Sequence, residues 1–135
     1  MGRNTYDAVL GFGQWPYGCK RVVVLNGRPI KIPHDLTRTV EWRSCSPAAL
    51  VDELSDSGVD HLYIDGGKTI QSFLNGGLIQ EIIITEIPIL IGSGIPLFGP
   101  LSTDTHLAHI ETRSFENDFV QSKYRVTDLP DQTDP

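Results

Sequence analysis

Ile64-Asp65-Gly66-Gly67-Lys68-Thr69 decides the fold, because here an apolar run passes through two glycines directly into a predicted helix. Glycine has no Cβ, so a ligand can approach the backbone, and the unbonded N–H groups at a helix start favour an anion. Lys68 and Thr69 add a positive charge and a hydroxyl donor that suit a pyrophosphate. On these residues alone, a phosphate site and a plain strand-to-helix turn are equally good interpretations.

Apolar runs and amphipathic segments alternate through most of the chain. The residues predict helices at 5–10, 47–57 and 68–74, strands at 21–25, 39–42, 61–64 and 81–85, and hairpin strands at 107–112 and 120–126. Ser46 is the predicted N-cap of the second helix, with Pro47 at its first position. The order strand, helix, strand predicts an α/β fold with a mixed, mostly parallel sheet and a C-terminal antiparallel hairpin. A ligand crevice is expected at the carboxyl ends of the parallel strands.

Two further turns have the composition of phosphate contacts. In Gly2-Arg3-Asn4-Thr5 a glycine and a cation precede a short helix, so two helix starts can grip one dinucleotide. Leu25-Asn26-Gly27-Arg28 follows the Val-rich strand, where Arg28 can hold a ribose 2′-phosphate and select NADPH over NADH. The alternative for Arg28 is an exposed turn arginine without a ligand.

Two better-known phosphate motifs do not fit this sequence. A Walker loop needs glycine at the position of Leu62. The pattern G-x-G-x-x-G fails after Gly11 at Pro16 and after Gly92 at Leu97. ATP hydrolysis and the usual Rossmann site both lose support.

Length and charge limit the partners. With 135 residues, of which 39% are hydrophobic, the chain is predicted to form one domain over 1–127 and a loose tail at 128–135. A net charge of -6 argues against nucleic acid and anionic membranes as partners. The most apolar stretch, 81–95, falls short of the roughly 20 residues that span a bilayer and predicts a buried strand. Cys19 and Cys45 fit no disulfide or metal pattern, which favours free thiols and the cytoplasm.

Metal chemistry is not predicted. His106 and His109 are three residues apart in a predicted strand, which places them on opposite faces, and His34 and His61 have no companion Cys or Glu motif. No catalytic side chain is assigned from the residues.

Five segments occur in the order found in one known family. They are Met-Gly-Arg-Asn-Thr-Tyr at 1–6, Val-Val-Val-Leu at 22–25, Asp-Gly-Gly-Lys-Thr at 65–69, a Pro, Gly-Ser-Gly and Leu-Phe segment at 88–98, and Lys-Tyr-Arg-Val at 123–126. On these segments the chain resembles the dihydrofolate-reductase-like superfamily. It is most similar to the reductase domain of bifunctional riboflavin-biosynthesis deaminase/reductases, and the likeness covers nearly the whole chain.

The resemblance implies a three-layer fold and an NADPH-dependent reductase that passes a hydride to a pyrimidine or pterin type substrate, as 5-amino-6-(5-phosphoribosylamino)uracil reductase or dihydrofolate reductase does. It implies a cis peptide between Gly66 and Gly67 and a substrate-facing Asp65, for which helix capping is the alternative. The loop with Gly92 and Gly94 either lines the substrate pocket or only turns the chain into the last hairpin. The implied cofactor-binding residues are Gly2, Arg3, Thr5, Asn26, Arg28, Gly66, Gly67, Lys68 and Thr69.

One departure from the family bears on function. Family members carry a strand, a substrate-lining stretch and a helix ahead of the Gly-Arg-x-Thr motif, whereas this sequence begins at Met1 with that motif. We therefore expect the fold to lack its N-terminal strand and helix. Three explanations are open: a reading frame that starts too far downstream, a fragment, or a homodimer in which a second copy completes the sheet. The functional alternative is a truncated, non-catalytic module that binds a dinucleotide or a phosphate.

Overall fold

A computed structural model describes residues 1–127, and the predicted tail at 128–135 lies outside the described residues. The chain divides into two compact units, Met1–Gly76 and Gly77–Pro135. In chain order the helices and strands are α1 Arg3–Leu10, β1 Val22–Leu25, β2 Val40–Arg43, α2 Pro47–Asp56, α3 Gly67–Asn75, β3 Glu81–Glu86, β4 His106–Ser114 and β5 Val120–Thr127, with one 3-10 turn at His34–Leu36.

The first unit contains a small parallel sheet. Strands β1 and β2 pair in parallel from Val22 opposite Val40 to Leu25 opposite Arg43. On the other side of β1, the Met1 ammonium donates to the carbonyl of Val23 at 2.8 Å, and the Leu25 N–H donates to the carbonyl of Met1 at 2.8 Å. Gly2 completes a parallel bridge to Leu25. The carboxyl ends of β1, β2 and the Met1 segment therefore lie at one edge, where α1 begins.

The core of the first unit follows from the periodicity of its elements. Val22 and Val24 are two apart in β1 and share one buried face, on which Tyr6 of α1 packs. In α2, Leu50 and Leu54 are four apart and both are buried. Ser46 accepts a hydrogen bond from the N–H of Ala49 at 3.2 Å, so the predicted N-cap is confirmed.

The second unit is an antiparallel sheet in the order β3-β5-β4. Strands β4 and β5 form the predicted C-terminal hairpin, with a bulge between His109 and Glu111. The turn between them contains Asp118, whose φ of 62° lies in the left-handed region that Asp tolerates. In the part of this unit that the structure describes there is no helix, so apolar side chains of its strands, including Ile83, Leu107 and Ile110, stay exposed.

The α/β class, the three helices and the closing hairpin are confirmed, but the strand predicted at 61–64 is wrong. A strand needs a backbone partner. Among residues 1–127 no segment forms a ladder with 61–64, and Tyr63 there is 91% exposed. The parallel neighbour predicted for 81–85 is also absent: among residues 1–127, β3 pairs with β5 alone, in the antiparallel sense.

The buried strand predicted at 81–95 is also wrong. Only Glu81–Glu86 is extended as a strand, because its pairing ends where Glu86 meets Val120, the first residue of β5. Pro88 then cannot donate a ladder hydrogen bond. The apolar residues that follow are exposed, with Leu90 fully so.

Candidate functional site

Helices α1 and α3 begin with the same pattern, Gly-x-x-Thr. Gly2 and Gly66 are the N-cap residues, and Thr5 and Thr69 are the third residues of their helices. The first N–H to bond within each helix comes one residue later: Tyr6 donates to the carbonyl of Gly2 at 3.1 Å, and Ile70 to that of Gly66 at 2.8 Å. Both starts therefore leave their first-turn donors without a bond inside the helix.

The two helix starts pack directly against each other. A Cβ added at Gly2 would lie 2.5 Å from Oγ1 of Thr69, and one added at Gly66 would collide with Oγ1 of Thr5. That second Cβ would also lie 3.6 Å from the backbone nitrogen of Gly2. Each threonine thus fills the space that the opposite glycine leaves open, so this contact requires both glycines.

This packing places two positive helix ends side by side. Neither N-cap glycine supplies a side-chain acceptor. Within residues 1–127 no protein acceptor bonds the first-turn N–H groups of Arg3, Asn4, Thr5, Gly67, Lys68 and Thr69. The N–H of Gly66, the N-cap residue, does have an acceptor: it donates to Oδ1 of Asp65 at 2.7 Å. The arrangement can bind an anion that spans both helix ends, as a diphosphate does.

The third predicted turn lies at the same edge. Asn26 follows Leu25, the residue that bridges to Gly2. Its side-chain nitrogen donates to the carbonyl of Arg28 at 2.6 Å, and its backbone N–H donates to the carbonyl of Arg43 at 3.1 Å. Asn26 thus fixes the turn that carries Arg28, and its side-chain nitrogen is occupied in doing so.

Three arginines near this edge differ in their ion pairs with carboxylates. Arg43 is bound to Glu41 at 2.7 Å and to Glu53 at 3.1 Å. The hydrogen bond with Glu53 contributes most to raising the pKa of Arg43; burial acts to lower this pKa, and the charges of both glutamates raise it further. Arg3 forms an exposed pair with Asp7 at 3.2 Å, an interaction of little strength in water. Arg28 is exposed and has no carboxylate partner in the described part of the chain, so it is available to a phosphate.

Asp65 stands beside the paired helix starts and is exposed. Besides accepting from Gly66, it accepts a long hydrogen bond, 3.5 Å, from the hydroxyl of Tyr17 to its Oδ2. Burial raises the pKa of the Tyr17 phenol, and the negative charge of Asp65 raises it further. Burial lowers the pKa of the Met1 ammonium, while the same carboxylate acts to raise it. Asp65 thus interacts electrostatically with two groups from separate segments.

The structure also bears on the Gly66–Gly67 peptide bond and on the loop that contains Gly92 and Gly94. The predicted cis peptide between Gly66 and Gly67 is wrong: no cis bond occurs among the described residues, and the turn is made instead by Gly66 with a φ of 94°. Gly92 and Gly94 belong to the second unit, in a segment without regular structure, and their role in substrate binding stays a prediction.

A depression in the surface lies elsewhere. A shallow cavity of about 270 Å³ is lined by Cys19, Arg21 and 37–41, at the amino ends of β1 and β2.

Among residues 1–127, no group of His, Cys, Asp and Glu side chains is arranged to hold a metal ion. Nor does any helix in that range have the length and apolar character needed to cross a membrane.

Sequence reasoning missed two contacts of the site. The reciprocal packing of Thr5 and Thr69 has a signal in the repeated Gly-x-x-Thr pattern, although the pattern does not say that the two starts meet. The hydrogen bond between Tyr17 and Asp65 has no local signal, because the two residues are 48 apart in sequence.

The fold and the paired turns define an α/β protein with two glycine-capped helix starts in contact near the carboxyl ends of its parallel strands. A model of the RibD C-terminal domain family matches residues 20–121. The chain belongs to this family, so the resemblance to the riboflavin reductase domain is confirmed.

Two solved structures are similar to this chain. A protein from Shewanella sp. PV-4, named as a candidate riboflavin biosynthesis protein, is 38% identical with a TM-score of 0.88, over 95% of this chain and 72% of that one. A pyrimidine reductase-like protein from Corynebacterium diphtheriae is 22% identical with a TM-score of 0.59, over 78% of this chain and 50% of that one. The latter likeness concerns the fold alone.

The curated relatives are longer. The uncharacterized protein YwjB of Bacillus subtilis is 32% identical over 117 residues, which are 85% of this chain and 66% of YwjB. The uncharacterized protein YyaP of the same organism is 33% identical over 67 residues, which are 50% of this chain and 36% of YyaP. The chain therefore spans less than two thirds of the length of either relative.

The reciprocal packing predicts unequal effects at two adjacent glycines. Gly66→Ala should lower the free energy of unfolding by about 1–3 kcal/mol, because the new Cβ meets Thr5 and the backbone has a positive φ. Gly67→Ala is the matched control, since its Cβ would enter open space at an ordinary φ, and it should change stability by less than about 1 kcal/mol. Urea unfolding measures both variants. Equal losses would show that the contact does not constrain the helix starts.

Proposed function

We propose that this chain is an NADPH-dependent reductase domain that transfers a hydride to a pyrimidine or pterin type substrate. Membership of the RibD C-terminal domain family supports a riboflavin-pathway, reductase-like function. The cofactor and the substrate are the parts of the proposal that go beyond the family.

One observation carries the cofactor proposal: two helix starts in contact, whose first-turn N–H groups bond no acceptor among the described residues. Two like dipole ends in contact are unfavourable unless a negative charge lies between them. A diphosphate supplies that charge and has enough oxygens for both sets of donors. We place it on the first turns of α1 and α3, with Lys68 adding a charge from α3.

The other residues have separable roles in this proposal. Arg28 holds the ribose 2′-phosphate, because Arg43 is already bound to two glutamates while Arg28 has no such partner among residues 1–127. Asp65 faces the substrate as a hydrogen-bond acceptor. NADPH itself supplies the hydride, so the protein contributes binding and orientation.

We further propose a homodimer, based on the second unit. Large apolar side chains of this unit are exposed, and Leu90 and Ile95 are almost completely so. Exposed apolar surface of this extent commonly marks an interface. We place the protein in the cytoplasm, where exposed thiols such as Cys19 and Cys45 stay reduced.

Thermal unfolding with and without nucleotide tests the cofactor. NADPH at about 100 times its Kd should stabilise the chain by about 2.7 kcal/mol through mass action. Loss of absorbance at the nicotinamide band on adding 5-amino-6-(5-phosphoribosylamino)uracil or dihydrofolate then tests catalysis. Stabilisation without turnover would favour the non-catalytic binding module, and no stabilisation would contradict the cofactor proposal.

Arg28→Ala tests the choice between the two nicotinamide cofactors. Loss of one charge-assisted contact should weaken NADPH binding by roughly 10- to 100-fold and leave NADH binding nearly unchanged. Arg38→Ala is the control, since Arg38 lines the cavity at the amino ends of the strands. Titration calorimetry measures both. Equal losses for NADPH and NADH would remove the 2′-phosphate role from Arg28.

Light scattering tests the homodimer. The wild-type chain should show twice its 14.9 kDa mass, and Leu90→Asp should shift it towards the monomer by placing a charge in the interface. Phe12→Asp, at an exposed apolar residue of the first unit, should leave the mass unchanged. A monomeric wild-type protein at high concentration would contradict the proposal.

A further inference from the structure

Three aromatic rings in mutual contact connect the core with the candidate site. Tyr6 belongs to α1, and Trp15 and Tyr17 belong to the loop between α1 and β1. Tyr6 is 1% exposed, and its ring meets Trp15 edge to face at 6.1 Å between centroids. Trp15 meets Tyr17 in the same way at 5.1 Å. Such pairs have a preferred geometry and hold the rings in place. Tyr17 is therefore anchored to the core through Trp15, although it lies in a loop with many glycines.

The hydroxyl of Tyr17 and the backbone of Gly66 bind different oxygens of one carboxylate. Tyr17 donates to Oδ2 of Asp65 at 3.5 Å, and the Gly66 N–H donates to Oδ1 at 2.7 Å. Each carboxylate oxygen has two lone pairs, so both can accept a further hydrogen bond. The two donors set the direction of the carboxylate while leaving acceptor capacity for a ligand.

We propose that Tyr17 is a positioning residue for Asp65, which it orients towards an N–H-bearing ring bound beside the paired helix starts. The ligand class follows from the acceptor: a carboxylate recognises the ring N–H and amino groups of a pyrimidine or pteridine and repels an acidic group. This inference rests on the proposed substrate role of Asp65. The inference adds Tyr17 to the site as a residue that acts through Asp65, without contact to the cofactor or the reacting atoms.

Tyr17→Phe removes the hydroxyl and keeps the ring against Trp15. It should raise KM for 5-amino-6-(5-phosphoribosylamino)uracil or dihydrofolate by about three- to tenfold, as expected for one lost hydrogen bond, and change kcat less than about twofold. The Kd for NADPH should stay unchanged. Tyr63→Phe is the matched control, because Tyr63 is 91% exposed.

A double-mutant cycle separates positioning from an independent contact. If Tyr17 acts through Asp65, adding Tyr17→Phe to Asp65→Asn should cause no further rise in KM. Effects that multiply would overturn the proposal, and so would a Tyr17→Phe enzyme that matches Tyr63→Phe.

Tyrosine titration by carbon NMR gives a readout that does not depend on turnover. The Tyr17 signal is assigned by its loss in Tyr17→Phe. In Asp65→Asn its pKa should fall, because the carboxylate charge that helps to raise it is gone. An unchanged pKa would overturn the contact on which the proposal stands. If the wild-type chain binds none of these substrates, the proposed function fails, while this titration still decides whether Tyr17 holds Asp65.

Discussion

Contact between the starts of α1 and α3 is the constraint on which the site depends. Gly2 and Gly66 allow it because neither has a Cβ, and Thr69 and Thr5 fill the spaces that remain. The contact has an electrostatic cost, because the positive ends of two helix dipoles are brought together with most of their first-turn N–H groups unbonded by protein. An anion bound between the two helix starts would offset that cost, and a phosphate site would therefore explain why the two starts pack together.

The parallel sheet puts the other candidate groups within the same region. Because Gly2 bridges Leu25, the start of α1 and the turn at Asn26 follow neighbouring strands at the same edge. The glutamates around Arg43 bind its guanidinium group, whereas Arg28 has no carboxylate partner in the described part of the chain. Asp65, held by Gly66 and approached by Tyr17, adds an acceptor next to the donors. In the proposed function, donors for the cofactor and an acceptor for the substrate are thus provided by adjacent residues.

Local patterns predicted the elements that depend on local interactions. The Ser46-Pro47 start of α2, the glycine starts of α1 and α3 and the hairpin of β4 and β5 all follow from capping or period-two alternation, and the structure contains them. The strand at 61–64 failed because apolar composition does not supply a backbone partner. The stretch 81–95 failed because its pairing ends with β5 at Val120. Tyr17 was missed because its partner lies 48 residues away.

The most direct test of the central claim is an amide chemical-shift titration with NADPH. If one diphosphate bonds both helix starts, the N–H signals of 3–5 and of 67–69 should move together and fit one Kd. Movement of only one set, or of neither while NADPH binds elsewhere, would contradict it.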